Sequence, residues 1–140
     1  LIVGTDWGEL DYLFVDMPPG TGDIYLSLAK SFQVDSAILV ATPQKLALLD
    51  VMRSIDLLTK LDVKISGLVS NMSYFLEGDQ KNYIFGDSLV QFAKDRGLCF
   101  LGELPLLPRI SELTDNKELI NKQNLPDIQK ILDGIIKELS

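Results

Sequence analysis

Histidine is missing from this 140-residue sequence, and cysteine occurs once, at position 99. The lack of histidine excludes imidazole as a general acid or base and as a metal ligand. A single cysteine cannot form a disulfide within the chain, which fits a reducing cytoplasm. Because Cys99 lies in the apolar stretch Leu98 to Leu101, we expect it to be a buried core residue, since free cysteine is among the most buried residue types.

Long apolar runs and an excess of basic residues are also missing. No apolar stretch approaches the ~20 residues that a membrane-spanning helix needs, and no signal peptide is visible. The 20 acidic residues outnumber the 13 basic ones, which gives a net charge of −7 with no clustered basic face. We therefore expect neither nucleic acid nor a membrane as a partner. The length and the ordinary apolar content predict one domain with a substantial core.

Short apolar runs alternate with amphipathic stretches along the chain. Four runs predict buried strands, at residues 12–15, 36–41, 65–70 and 98–101. Helices are predicted at residues 24–32, 42–61, 87–96, 109–113 and 126–139, and residues 74–86 are predicted to form a polar loop. Strands alternating with helices indicate parallel βαβ units. The expected fold class is α/β, with a mainly parallel sheet and helices on both faces.

The segment Leu10-Asp-Tyr-Leu-Phe-Val-Asp-Met-Pro-Pro-Gly-Thr-Gly-Asp23 combines a strand end, a carboxylate and a Pro/Gly turn. Asp16 directly follows the predicted strand, where open α/β sheets bind their ligands. A carboxylate there can hold a hydrated Mg²⁺, and Gly20 to Gly22 can offer amide groups to a terminal phosphate. The alternative for Asp16 is an ordinary strand end before a turn. Asp23 is either a second acidic site residue or the N-cap of the next helix.

The string from Val15 to Asp23 resembles the Walker B and switch II segment of the Mrp/ApbC family. These are iron–sulfur cluster carrier ATPases of the MinD/ParA-like P-loop class. Other stretches resemble further family blocks in the same order: Thr42-Pro-Gln44 through Leu49-Asp50, Asn71-Met-Ser-Tyr-Phe75, Ile84-Phe-Gly86 and Leu101-Gly-Glu-Leu-Pro-Leu106. Several blocks in one order are a stronger indication than any single motif. The resemblance covers nearly the whole chain and implies part of a P-loop NTPase fold.

The resemblance also implies a nucleotide site at the carboxyl ends of the strands. Asp16 and Gly20 are the implied catalytic residues, and Asp16 would hold Mg²⁺ through water. In the relatives, the residue matching Asn71 helps recognise adenine through its side-chain amide, although a turn-forming asparagine is the alternative. The implied nucleotide-binding residues are Asp16, Pro19, Gly20, Asn71, Leu104 and Pro105. Because three strand ends precede Asp16, Asn71 and Pro105, we expect these residues to converge on one edge of the sheet.

Two features of the family are missing. No Gly-x-x-x-x-Gly-Lys-[Ser/Thr] loop and no Lys-Gly-Gly variant of it occurs, and such a loop holds the β- and γ-phosphates. We therefore expect the chain to be the C-terminal part of a longer ATPase and to be inactive alone. Many family members also carry Cys-x-x-Cys after the Asn-Met-Ser-Tyr-Phe string, whereas residues 76–81 contain no cysteine. Thiolates are the usual ligands of iron–sulfur clusters.

Two functions are compatible with these features. The first is an ATP-binding and ATP-hydrolysing carrier or assembly factor for iron–sulfur clusters, with ATP and Mg²⁺ as cofactors. Its expected partners are a second copy of the chain and iron–sulfur apo-proteins or assembly factors. The alternative is a nucleotide-switched, MinD/ParA-like interaction factor without a cluster, which the missing Cys-x-x-Cys favours. Because the sheet would keep an exposed edge, we also expect the chain itself to form an oligomer, most simply a dimer.

Overall fold

The computed structural model describes residues 4–18, 23–31, 33–86, 88–119, 121, 123 and 125–139. Helices and strands alternate along this part of the chain. The elements are α1 Asp23–Ser31, β1 Ala37–Ala41, α2 Lys45–Lys60, β2 Ile65–Ser70, β3 Phe75–Glu77, β4 Gln80–Asn82, α3 Ser88–Asp95, β5 Phe100–Glu103, α4 Pro108–Asp115 and α5 Pro126–Leu139.

Three strands form a parallel sheet in the order β1-β2-β5. Ala41 at the end of β1 lies opposite Ser70 of β2, and Ser70 lies opposite Glu103 of β5. The three carboxyl ends are thus level with one another at one edge. Helices connect the successive parallel strands, as parallel pairing requires. The α/β class with a mainly parallel sheet is confirmed.

The core consists of two apolar clusters. The first lies between β1, β2, α2 and α3 and contains Leu39, Ala41, Val51, Leu58, Leu68, Leu89 and Ala93. The second joins α4 and α5 through Leu113, Leu125 and Ile128, and Leu104 and Leu107 pack against it. The second cluster therefore supports the segment that follows β5.

Several boundaries agree with the sequence and others shift. Strand β2 has the predicted bounds, and Gly97 ends α3 as predicted, with a φ of 63°. Its amide and that of Leu98 donate to the carbonyls of Lys94 and Ala93, the two hydrogen bonds of a Schellman motif. Because Leu98 belongs to this helix end, β5 starts at Phe100, two residues later than predicted.

Helix α2 also starts later than predicted, at Lys45 rather than at Thr42. Gln44 occupies the N-cap position without a side-chain capping bond. The carbonyl of Pro43 accepts a 2.8 Å hydrogen bond from the Ser88 hydroxyl, which ties residue 43 to α3. In α1, Asp23 is the first helical residue, so its carboxylate lies in the first turn rather than outside the helix.

The strand predicted at residues 12–15 is not formed, and this prediction is wrong. The backbone of residues 12–18 is irregular, and the Phe14 side chain is 63% exposed. The rings of Tyr12 and Phe14 contact each other with centroids 6.0 Å apart. A strand forms only where a neighbouring strand satisfies its amides and carbonyls, and β1 pairs within the described sheet only with β2.

Two more expectations need correction. Residues 74–86 contain the antiparallel hairpin β3–β4 rather than only a loop. Gly78, with a φ of 62°, is the first of its two turn residues, where glycine permits a tight hairpin turn. Cys99 is exposed rather than buried. Leu98 and Phe100 pack against the first cluster, and because side chains alternate along an extended chain, Cys99 faces away from it.

Candidate functional site

Backbone hydrogen bonds join the end of β1 to the segment after β2, and join the segments after β2 and β5 to each other. The amide of Asn71 donates to the carbonyl of Ala41 at 2.7 Å, and the amide of Leu104 donates to Ser70 at 2.8 Å. The amide of Ser73 returns to the Leu104 carbonyl at 2.9 Å. Asn71, Leu104 and Pro105 therefore lie together at the carboxyl edge, as the sequence predicted for Asn71 and Pro105. We call residues 70–74 and 103–106 the joined edge.

The side chain of Asn71 shapes the turn after β2. Its Oδ1 accepts a 3.0 Å hydrogen bond from the amide of Met72, which has a φ of 54°. The turn-forming role is thus present. Within the described residues the side-chain Nδ2 of Asn71 has no hydrogen-bond partner, and the residue is half-buried. An amide in this position can hold the turn with its oxygen while its nitrogen donates to a ligand.

The predicted acidic residue has a different setting. Asp16 is exposed in the irregular segment before α1, outside the three-stranded sheet. The carbonyl of Pro18 accepts a 2.9 Å hydrogen bond from the Tyr25 hydroxyl, which anchors this segment to α1. An exposed carboxylate suits water-mediated contact with Mg²⁺, and this role stays a prediction. Pro19 and Gly20 lie outside the described residues.

A small cleft opens beside the joined edge. Its enclosed volume is only about 10 Å³, and Pro43, Ser70, Ser73, Tyr83 and Glu103 are among its lining residues. Ser70 and Ser73 are buried and their hydroxyls hydrogen-bond to each other. Sites for small molecules usually enclose ~300–1,000 Å³. The cleft is therefore too small to enclose a nucleotide without further residues.

The hairpin is fastened to the end of β5 by one carboxylate. Glu103 Oε1 lies 2.7 Å from Lys81 Nζ and accepts a 2.8 Å hydrogen bond from the Tyr83 hydroxyl. The Lys81 ammonium lies 4.2 Å from the centroid of the Tyr74 ring, which is itself 5.6 Å from the Tyr83 ring centroid. We call these four residues the hairpin clamp. Sequence reasoning missed it because residues 74–86 read as a polar loop, with no sign that Lys81 faces Glu103.

The protonation states of the clamp suit its hydrogen bonds. The hydrogen bond to Glu103 raises the pKa of Lys81 above its ordinary value, against a smaller lowering by partial burial. Partial burial, followed by the hydrogen bond to Glu103, raises the pKa of Tyr83. Both groups are therefore protonated at neutral pH, and both can donate to the carboxylate.

The described residues offer no ready-made metal or cluster site. Among them, no group of three or more Cys, Asp or Glu side chains is placed to hold a metal ion. The hairpin carries no thiolate where the family pattern has Cys-x-x-Cys, and Cys99 lies in the residue before β5. The structure therefore does not supply the thiolates that usually bind iron–sulfur clusters.

No helix in the part of the chain that the structure describes is both long and apolar enough to cross a lipid bilayer.

Known proteins resemble the chain in sequence and structure. It is 39% identical over 143 residues to the iron-sulfur cluster carrier protein of Aquifex aeolicus, covering 99% of this chain and 39% of that protein. It is 39% identical over 150 residues to the iron-sulfur cluster transfer protein NUBPL of Dictyostelium discoideum, covering 99% and 46%. The chain thus spans less than half the length of these curated relatives.

A solved structure also matches. The nucleotide-binding protein of Archaeoglobus fulgidus, in complex with ADP, has a TM-score of 0.68 and 33% identity, with 79% of this chain and 46% of that chain covered. The family model described as ParA, NUBPL iron-transfer P-loop NTPase, matches residues 1–140. The chain therefore belongs to the NUBPL iron-transfer P-loop NTPase family.

Proposed function

We propose that this chain is part of an ATP-binding and ATP-hydrolysing protein that carries iron–sulfur clusters or helps to assemble them. The observation that supports it most is the joined edge, which holds Asn71 beside Leu104 and Pro105 by three backbone hydrogen bonds. Two relatives are named as cluster carrier or transfer proteins, and a structural neighbour was solved with ADP. A nucleotide site at the joined edge fits the ADP complex of the structural neighbour, and cluster transfer by the whole protein fits the names of the two relatives.

The residues have distinct roles in this proposal. The Nδ2 of Asn71 donates to the adenine base while its Oδ1 keeps the bond to Met72. Leu104 and Pro105 cover the base, with Leu104 supported from behind by the α4–α5 cluster. Since this lining is held by packing and hydrogen bonds before any ligand arrives, little ordering is needed on binding.

The phosphate end involves the segment before α1. Asp16 would hold a hydrated Mg²⁺ through water, and Pro19 and Gly20, which are outside the described residues, are proposed as further nucleotide-binding residues. Mg²⁺ in such sites neutralises charge on the phosphates and orients them. The Asp16 carboxylate is exposed and can turn toward that ion without breaking a contact that holds the fold.

The phosphate loop must come from elsewhere in the protein. The 140 residues contain no such loop, and the matched relatives are more than twice as long as the matched segment. We propose that this chain is the carboxyl-terminal portion of a longer ATPase domain and does not hydrolyse ATP alone. The intact mass and N-terminal sequence of the native product test this, and a Lys-Gly-Gly-type loop in an upstream segment is expected.

The cluster is cargo in this proposal, and its ligands are not those of the usual family motif. Because the hairpin carries no cysteine and Cys99 is the one thiol in the sequence, a cluster bound by thiolates would need cysteines in addition to Cys99. A homodimer and iron–sulfur apo-proteins or assembly factors are the proposed partners. A reducing compartment such as the cytoplasm, as the single cysteine suggests, stays a prediction.

Anaerobic reconstitution of the longer protein tests the function. With iron and sulfide supplied, we expect ATP binding and uptake of iron into a protein-bound cluster with its visible absorption. ATP binding without iron uptake, together with ATP-dependent capture of a protein partner, would instead favour the MinD/ParA-like alternative. If the protein showed neither ATP binding nor iron uptake, both functions would be rejected.

A further inference from the structure

Glu103 belongs to the joined edge, and its side chain contacts residues of the hairpin β3–β4 and the residue after it. We propose that Glu103 is a positioning residue that couples the joined edge to the hairpin β3–β4. A nucleotide bound against Leu104 and Pro105 then tightens the hairpin clamp. This inference rests on the proposed function for the nucleotide contact only. The clamp itself depends on no ligand, since its contacts are all within the chain.

The backbone already joins the two parts. Glu103 is the last residue of β5 and immediately precedes Leu104. The Leu104 segment is bonded to the β2 end through Ser70 and Ser73, and the amide of Leu106 donates to the carbonyl of Tyr74 at 2.7 Å. Tyr74 directly precedes β3. A shift of residues 104–106 therefore moves the root of the hairpin.

The side chain of Glu103 joins the same parts a second time. Its Oε1 receives both Lys81, which pairs with Leu76 across the hairpin, and Tyr83, which follows β4. The side chain of Glu103 is 22% exposed and that of Lys81 is 46% exposed, so water only partly screens the pair. Hydrogen bonds between charged groups are shorter and stronger than neutral ones.

The hairpin needs this support to be ordered. Its strands are three residues each, and an isolated two-stranded hairpin is marginally stable at best. The clamp holds it by one ion pair, one hydroxyl and contact with the buried Tyr74 ring. The exposed side chains Phe75 and Leu76 are thereby held in fixed directions. Nucleotide binding at the joined edge would therefore control how well the side chains of Phe75 and Leu76 are ordered.

Thermodynamic linkage makes the coupling reciprocal. If nucleotide binding stabilises the clamped hairpin by some factor, then loss of the clamp weakens nucleotide binding by up to the same factor. Hydrogen exchange of residues 75–82, followed by mass spectrometry, reports the first effect. Calorimetric titration with ADP reports the second.

The experiment uses the longer native protein, with and without saturating ADP. In the unmodified protein we expect ADP to slow exchange in residues 75–82 at least about threefold. In Glu103→Ala that slowing should disappear, and ADP affinity should fall by a similar factor. The exchanged pair Lys81→Glu with Glu103→Lys restores opposite charges and should restore the ADP response. Arg53→Ala, which removes an exposed ion pair to Asp50 on α2, is the control and should leave both unchanged.

The outcomes separate the coupling from the nucleotide site. ADP binding with no change in hairpin exchange, or a full ADP response in Glu103→Ala, would overturn the coupling and leave the nucleotide site standing. If Glu103 were only structural, Glu103→Ala would speed exchange of the hairpin equally with and without ADP, and this result would also overturn the coupling. No ADP binding by any variant would overturn the nucleotide site and the coupling together. If Glu103→Ala unfolds, Tyr83→Phe removes one donor alone and should reduce the response in part.

Discussion

Gly67 and Gly134 lie in different packing environments, since neighbouring atoms crowd Gly67 and leave Gly134 open. A Cβ on Gly67 would lie 2.6 Å from Leu101 Cγ and 2.7 Å from the Cys99 carbonyl oxygen. Strand β2 therefore approaches β5 too closely there for any side chain. At Gly134, in α5, a Cβ would project into open space, with nothing within 4 Å. Only the first glycine is required by its surroundings.

Alanine substitutions at these glycines should act with opposite sign. Gly67→Ala should lower the free energy of unfolding by about 1–3 kcal/mol, because overpacking pushes the sheet backbone apart. Gly134→Ala should raise it by about 0.5–1 kcal/mol, since glycine disfavours a helix interior. Urea unfolding measures both. Equal effects of one sign would contradict the packing seen around Gly67.

The clamp should weaken at alkaline pH. The pKa of Tyr83 is raised from 10.0 by partial burial and by Glu103, and that of Lys81 is raised from 10.5 by Glu103. A raised pKa means that the folded state binds the proton more tightly, so this stability is present below pH 10 and is lost as the pH rises through the folded-state values.

Tyr83→Phe tests that titration. The difference in melting temperature between the unmodified chain and this variant should be constant from pH 7 to about pH 9 and shrink above about pH 10. Tyr12→Phe, on the irregular segment before α1, gives the matched control. A difference that grows with rising pH would show that the folded state does not hold the Tyr83 proton more tightly.

At the scale of elements, the sequence predicted what depends on local pattern. Strand β2 and helix α5 were found because alternating or helical apolar spacing is visible within the segment itself. The hairpin was missed because β3 and β4 have only three residues each. Their order depends on Tyr74 and on Glu103, which lies 20 or more residues along the chain from the residues it contacts. The apolar run at residues 12–15 was wrongly predicted as a strand, because pairing partners are not visible in a local pattern.

Helix α5 supports the segment after β5. Ile128 is buried in the α4–α5 cluster, against which Leu104 and Leu107 pack. Ile128→Ala should lower the free energy of unfolding by about 2–5 kcal/mol through lost contacts and a cavity. The exposed Lys130→Ala, in the same helix, should change it by less than about 0.5 kcal/mol. Equal effects in denaturant unfolding would contradict the placement of the α5 face.

At the scale of the whole molecule, the site was only partly predictable. The predicted strand ends before Asn71 and Pro105 placed both residues at one edge, and the backbone bonds of Ala41, Ser70 and Leu104 bring them there. The position of Asp16 did not follow, because it depended on a strand that is not formed. Cys99 shows the same limit, since its residue type and the apolar stretch around it indicated burial, whereas it is exposed immediately before β5.

The free side of β1 should drive self-association. In the described sheet β1 pairs only with β2, and Val40 on it is 60% exposed. Unpaired strand edges bind further strands, and a charge on the edge suppresses this. We predict an oligomer, most simply a dimer, by light scattering at micromolar concentration, and a shift toward monomer in Val40→Lys.

Leu119→Lys, at an exposed apolar residue after α4, is the control and should not change the mass. A clean monomer of the unmodified chain at that concentration would refute the prediction. An unchanged oligomer in Val40→Lys would move the contact away from β1.

The proposed contact between Asn71 and a nucleotide at the joined edge is tested most directly by calorimetric titration with ADP. The titration compares the longer native protein with its Asn71→Asp and Asn116→Asp variants. Asn71→Asp keeps the oxygen that accepts from Met72 but replaces the amide donor by a charged carboxylate oxygen, and Asn116→Asp controls for that charge by adding it at the end of α4. We predict at least tenfold weaker binding for Asn71→Asp, or about 1.4 kcal/mol, and unchanged binding for Asn116→Asp. Equal affinity of the two variants and the unmodified protein would show that Asn71 does not contact the nucleotide.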